Sequence, residues 1–517
     1  MTNSVKTTTK LTRPRTRRGH ELRRRAHLPR REARAAARGD SRAIRNALII
    51  ICLGALMSAV DATVTNVALN TLEHDLHASV ASVQWVITAY LLTVAAVIPV
   101  SGWASRRFGA RQVYVCSLAL FGVSSALCAV AGSLQMLVAC RLLQGVAGGM
   151  LVPLGQLIAA EVAGPSRMGK MISRIWMFSS IGSMLGPTVG GALLQGLGWR
   201  WIFMINVPIS LVATIAALYL LPHTPSRPAG RLDIAGLLRL SVGVPAVVFA
   251  LAQAEQTGSL FSPSAVAPLI LGVLLVADFV RHALRCPAPL LNVRLFARPT
   301  FRSSMVAIFF VDISWFGVLV LLPLAFQQLR HASPLTAGLL MAPQGLGTAI
   351  GMWLCGRLGD GPFARRLGAA GALVLVFTTM LVAGFGPTMS GWAVCLTLLC
   401  AGFSAGVSWV PATAVGYFGL ARDEISHGSP LVTVTMRLGA SFGTAIAAIM
   451  LQAQLRAGSG RLDHVQTAYR TSFYWEAGLA LVAALTYVYM CRVVARTPVR
   501  AAADTGEFKL PAVEPVA

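Results

Sequence analysis

From Asn46 to Leu69 the chain carries one charged residue, Asp61, in an otherwise apolar run. A helix of about 20 such residues crosses a bilayer. Hydropathy predicts fourteen such spans, at residues 46–69, 82–104, 113–132, 135–160, 172–196, 201–221, 232–253, 265–284, 303–327, 336–357, 366–386, 392–417, 430–454 and 472–495. Links as short as Ala131-Gly132-Ser133 and Gly386-Pro387-Thr388 force neighbouring spans to run antiparallel. A Gly-rich basic turn follows span two, Gly102 to Arg111, and a second follows span ten, Gly356 to Pro362. With spans seven and eight set aside as an insertion, each turn follows the second helix of a six-helix half. Two such halves, related by an axis along the membrane normal, form a transporter architecture with its site at mid-membrane.

The predicted fold is therefore all-α and membrane-embedded: two six-helix halves plus two additional central helices. The expected units are a tail over 1–45, an N-terminal half over 46–221, a two-helix insertion with its linkers over 222–302, a C-terminal half over 303–495 and a tail over 496–517.

Composition agrees, with 55% hydrophobic residues, 12% charged and a mean hydropathy of +0.67; soluble domains carry about 25% charged residues. The net charge of +25 is concentrated, since residues 1–45 hold fifteen Lys and Arg. That tail is too polar to bury a core and reads as disordered. No nucleic-acid fold motif accompanies it, so its expected partner is anionic lipid. Placing the N-terminus inside puts thirty-six of the 44 Lys and Arg on inner segments and five on outer loops. Both termini are thus expected in the cytoplasm of a cell-membrane protein. No signal-peptide pattern stands out. The nine cysteines contain no CxxC pair, and no disulfide, metal site or cofactor is expected.

A carboxylate within a span needs a partner, a proton or a water path, and such groups usually serve function. At about 1.5 Å rise per residue, Asp61 lies about 22 Å from the inner end of span one. Arg141 in span four comes to about 21 Å from the inner side of a core about 30 Å thick. The two charges share a height, so Arg141 is a candidate to hold Asp61 ionised until a proton or cationic substrate displaces it. The alternative is that Arg141 bonds carbonyls in its own half. Asp312, about 13 Å into span nine, is a second candidate for proton or cation binding. Glu161, Glu255, Asp278 and Glu476 sit near span ends, and Arg239 and Arg437 within snorkelling reach of the interface; all are read as structural. Gln84, Tyr90 and Gln344 are cavity candidates, with Trp85 equally an interface anchor. Gly182, Gly186-Pro187 and Gly190-Gly191 line one face of span five and permit close helix packing.

The run Asp61 to Leu69 is similar to the first-span signature of the fourteen-span drug:proton antiporters of the major facilitator superfamily. Gln84-Trp85 with Tyr90-Leu91, Arg141 with Gln144-Gly145, the span-five glycines, Trp199 to Phe203 with Asn206-Val207-Pro208, and Pro289-Leu290-Leu291 with Leu295-Phe296 also resemble that family's motifs, in order, over residues 46–495. The resemblance implies alternating access driven by protons and export of small amphipathic, often cationic compounds by a functional monomer. It strengthens Asp61 and Arg141 as the proton-coupling pair, with Asp312 kept as a second candidate from its depth, and Asn66, Gln84, Tyr90 and Gln344 stand as the cavity candidates. Arg106, Arg107, Gly109, Gly182, Gly186, Pro187, Gly190 and Asp360 are marked for gating. Arg106 stands where the family usually has an acid that helps close the inner gate, Ala110 replaces a usual basic residue, and Asn70 stands where proline is common. Rival readings are export of an endogenous metabolite or lipid, and a non-transporting membrane sensor. An enzyme is not expected, for want of a His cluster or nucleophile motif.

Overall fold

The computed structural model describes residues 30–163, 167–222, 230–359, 361–384, 390–456 and 462–497. Asp360, residues 1–29 and residues 498–517 lie outside this set, as does the side chain of Asn70. No strand occurs among the described residues.

All fourteen expected spans are helical. They are α1 (Arg30–Val64), α2 (Trp85–Val97 and Val100–Phe108), α3 (Ala110–Ala129), α4 (Leu134–Ala163), α5 (Met168–Gly196), α6 (Asn206–Leu220), α7 (Ile234–Thr257), α8 (Pro263–Arg285), α9 (Pro299–Arg330), α10 (Pro334–Leu358), α11 (Pro362–Ala383), α12 (Gly391–Tyr417), α13 (Arg422–Arg456) and α14 (Leu462–Arg496). Twelve of these segments are long and apolar enough to cross a membrane, and α2 adds a thirteenth as a bent pair. α10 has 25 residues but falls outside that group, being interrupted by Pro343, Gln344 and a run of glycines.

Three expectations are corrected. The segment over residues 30–45 is the start of α1 and not part of a disordered tail. A basic segment can extend a helix that the apolar residues after it have already nucleated. Span one does not continue as α-helix to Leu69: it tightens to a 3₁₀ turn, Thr65–Ala68, and a short helix follows over Leu69–Asp75. Span two is bent by 57°. Pro99 lies at the break and has no N–H to continue the ladder.

The packing repeats. In the first half α1 packs on α5, α2 and α3 on α4, and α6 on α3. In the second half α9 packs on α13, α10 and α11 on α12, and α14 on α11. Each contact recurs with the helix number raised by eight, as an internal duplication requires. α10 and α12 approach so closely that a Cβ on Gly347 or Gly402 would strike the facing backbone.

α7 pairs with α8 and also lies against both α2 and α13. Ser241 donates to the Ala96 carbonyl of α2 at 2.6 Å, and Phe249 stacks on Trp85 at 6.0 Å. At its other end α7 accepts from α13: Gln452 donates to the Glu255 carbonyl at 3.1 Å and Arg456 to the Thr257 carbonyl at 2.6 Å. The insertion therefore covers the seam between α2 and α13 and touches both halves. Arg239 pairs with Asp278 at 2.5 Å, tying α7 to α8. Asp233 caps α7 through the Gly236 N–H at 2.8 Å and also accepts from His282 and Leu290. Burial alone would raise its carboxyl, but these three donors hold it below the ordinary range. Asp233, His282 and Cys286 have ligand-like spacing, but the capping duty already occupies the carboxylate oxygens.

Candidate functional site

Asp61 and Arg141 meet. The Arg141 Nη1 lies 2.7 Å from Asp61 Oδ2, and neither residue is exposed to solvent. The α4 helix brings Gln144 one turn beyond Arg141, and its amide donates to Asp61 Oδ1 at 3.0 Å. Asn206, at the start of α6, donates to the same oxygen at 3.0 Å. Arg141 is held from its other side by the Gln144 oxygen at 2.7 Å and, through Nε, by the Val86 carbonyl at 3.1 Å. Its guanidinium also lies 4.2 Å from the Tyr90 ring centre. Ser125 of α3 accepts from Gln144 at 2.7 Å. Five helices meet in this network, and every group that touches the carboxylate itself, Arg141 and Gln144 of α4 and Asn206 of α6, brings positive charge or a donor. Of the two readings offered for Arg141, it does both: it pairs with Asp61 and binds a backbone carbonyl.

The second half repeats the theme with different chemistry. Asp312 on α9 is 1% exposed, and Trp409 on α12 donates to its Oδ1 at 2.8 Å, while its Oδ2 has no partner. α9 and α12 correspond to α1 and α4 under the repeat, so in each half a buried carboxyl joins the first helix to the fourth. The Trp409 ring carries this across the cleft, stacking on Trp176 of α5 at 6.5 Å and touching Trp315 and Phe316.

Direct hydrogen bonds between the halves cluster on the side where the N-terminus enters, here called the tail side. Arg106 donates to Ser426 Oγ at 2.9 Å, and Ser173 to the Met352 carbonyl at 2.8 Å. Ser429 donates to the Pro153 carbonyl at 2.8 Å, and Tyr417 to Gln156 at 2.8 Å. Arg106 therefore closes this side through a neutral acceptor in place of an acid–base pair. Gly102 makes the approach possible: a Cβ there would collide with the Ser426 carbonyl. Gly102→Val is accordingly expected to hold the tail side open. Opening on the tail side should rise about tenfold or more, a shift of about 1.4 kcal/mol in the closing equilibrium, and labelling of a cysteine introduced at Ser429 should rise with it. Unchanged labelling would remove the gate from this contact.

The other sequence candidates are scattered. Tyr90 is buried beside Arg141 and lies 3.5 Å from Ser58. Gln84 is half-buried and Asn66 is exposed on the 3₁₀ turn, apart from the ion-pair network. Gln344 is 2% exposed with neither amide atom bonded. Arg107 is exposed beside Phe108, and Gly109 turns the chain into α3 at φ 86°. Gly182, Gly186 and Gly190 face α1 of their own half: a Cβ on Gly182 would lie 2.8 Å from the Leu56 carbonyl and one on Gly190 2.6 Å from Val64. The opposite face of α5, through Ser173, Trp176 and Met184, meets the second half. α5 continues as helix through Pro187, which is exposed.

Two structural readings are overturned. Glu476 is not at a tolerant interface but 1% exposed between α14 and α9, both oxygens unbonded, against Gly317. A helix much longer than the bilayer carries residues counted as terminal into the packed interior. Arg437 does not snorkel outward: it lies within Coulombic reach of Tyr90 in one half and Asp312 in the other. Gln144 and Asn206 were missed as partners, although each is a lone amide in an apolar run and Gln144 is three residues from Arg141, on its face of the helix.

The profile of the Major Facilitator Superfamily matches residues 51–444. The chain is 33% identical over 445 residues to the "Multidrug resistance protein B homolog" of Mycobacterium tuberculosis, covering 84% of this chain and 81% of that one. Among solved structures it resembles the human organic anion transporter MFSD10, with a TM-score of 0.62 at 17% identity over 86% of this chain and 99% of that one. It also resembles the proton:xylose symporter XylE, with a TM-score of 0.60 at 18% identity over 86% and 95%. The helix pairing, the duplicated halves and these matches lead to one assignment: the chain is a multi-pass membrane transporter of the major facilitator superfamily, related to its multidrug members.

Proposed function

We propose that the protein is a proton-coupled exporter of small amphipathic compounds, lipophilic or cationic, acting by alternating access as a monomer. The observation that carries this reading is the fully buried Asp61–Arg141 pair, with Gln144 and Asn206 completing the carboxylate's shell. A proton arriving at Asp61 removes the charge that holds Arg141, and the Arg141 side chain must then settle on the Val86 carbonyl, the Gln144 oxygen and the Tyr90 ring. That rearrangement moves α4 relative to α1 and α2, and α4 and α2 also carry the tail-side contacts through Gln156, Pro153 and Arg106. Loss of the proton restores the pair. Coupling requires only that the two arrangements favour different openings of the cleft. With both termini in the cytoplasm, the closed tail side makes this an outward-facing arrangement. The basic segment ahead of α1 would rest on anionic lipid of the inner leaflet.

The test is transport by the purified chain in proteoliposomes with an imposed pH gradient and a panel of amphipathic compounds. Substrate-triggered proton movement, abolished by a protonophore, is the expected result. Substrate movement indifferent to the gradient would leave a transporter without proton coupling.

A further inference from the structure

Arg437 lies near the middle of α13, between Arg422 and Arg456, and its side chain is exposed. Its electrostatic neighbours are Tyr90 on α2 and Asp312 on α9, one from each half. The lipid-side seam between α2 and α13 is covered by α7. An exposed guanidinium with neighbours in both halves, behind such a wall, faces the cleft. Among the described residues it makes no hydrogen bond and no ion pair within 4.0 Å. Asp312 makes no direct ion pair with it: that carboxyl is buried and turned to Trp409, with its Cβ packed where Gly439 lets α13 approach.

Asp312 links Arg437 to an aromatic layer, since its carboxylate accepts from Trp409 at 2.8 Å. Trp409, Trp176, Trp315 and Phe316 form one aromatic cluster spanning the halves. An exposed guanidinium that faces the cleft without an ion-pair partner leaves its donors open to a ligand, and its planar fork suits carboxylate and sulfonate oxygens in particular. Aromatic faces take the apolar body of the same molecule.

We propose that Arg437 is a cargo-binding residue and that the compounds carried include amphipathic organic anions, each an aromatic or aliphatic body bearing a carboxylate or sulfonate. This deepens the efflux reading and rests on it. A cargo bearing only positive charge would meet Arg437 as a repulsive element, so the residue acts on specificity by both attraction and exclusion.

The test uses three probes on the purified full chain in proteoliposomes: 1-naphthalenesulfonate, its neutral sulfonamide, and ethidium. Binding is followed in parallel by quenching of tryptophan fluorescence. Wild type is expected to move and bind the sulfonate in preference to the sulfonamide. Arg437→Gln should weaken sulfonate binding and transport about tenfold or more and leave ethidium unchanged or improved, with Arg437→Lys recovering part of the loss. Equal loss for every probe in Arg437→Gln would make the residue structural and overturn the proposal. So would undiminished sulfonate transport in that variant, or a wild type that exports ethidium and ignores the sulfonate; both outcomes leave the efflux reading standing. A wild type that moves none of the probes removes the efflux reading and the proposal together.

Discussion

Asp61→Asn is expected to abolish proton-driven export, with a rate loss of about a hundredfold or more, the scale associated with removing a positioned proton-transfer group. The substitution keeps the volume and still offers an oxygen to Gln144 and Asn206, which now donate at 3.0 Å. What it removes is the group that, in the proposed mechanism, takes and releases a proton. Arg141 keeps the Val86 carbonyl, the Gln144 oxygen and the Tyr90 ring, which offset part of the cost of leaving its buried charge without a counter-ion. The measurement is substrate-triggered proton movement in proteoliposomes, with membrane insertion and thermal stability followed on the same preparation. Proton coupling intact in Asp61→Asn would move the proton step to another carboxyl, Asp312 being the next in line because one of its oxygens is already free of hydrogen bonds.

Arg141→Ala is expected to have the larger effect on the fold. Removing one partner of a buried pair costs about 3–5 kcal/mol, because the remaining charge keeps its desolvation penalty without compensation. Here the loss reaches further, since Arg141 also binds Val86 on α2 and Gln144 on α4. Thermal stability should fall and transport should be lost. Arg141→Lys keeps the charge but cannot reach the Val86 carbonyl, Asp61 and Gln144 together, so it should be intermediate. The double variant Asp61→Asn/Arg141→Gln buries no charge and should recover much of the stability while remaining uncoupled. Equal instability of the double and single variants would show that the network is held by packing and not by its charges.

The first-half network gives these predictions their separability. Asp61 has donors from α4 and α6, and Arg141 has acceptors from α1, α2 and α4, so each single substitution leaves several bonds in place. The second half has no comparable redundancy around Asp312, where Trp409 is the one hydrogen-bond donor. The halves share an architecture and differ in how firmly their carboxyls are held.

Much of the fold was legible along the chain. Bilayer thickness fixes how long an apolar run must be, and short links fix the direction of the next one, so fourteen helices and two halves follow from one-dimensional information. The pairing of Asp61 with Arg141 was half legible, because helix rise converts residue number into depth and both came to one height. Depth carries no azimuth. Which side of a helix a residue occupies depends on how that helix is rotated against its neighbours, and hydropathy is nearly uniform around a buried membrane helix. That is why Gln144 and Asn206 go unassigned although they touch the carboxylate. The span-five glycines show the same gap: their spacing declares a close helix contact, and only the packing identifies the partner as α1 in the same half. Glu476 and Arg437 were read from their distance to a predicted span end, and α13 and α14 prove to be 35 residues each. By itself the sequence determined the helix count, the two repeated halves and the presence of buried charge. The tertiary structure decided which charges meet, which face the cleft and which lie sealed in the packing, because those outcomes depend on helix rotation and long-range contact that no local run of residues encodes.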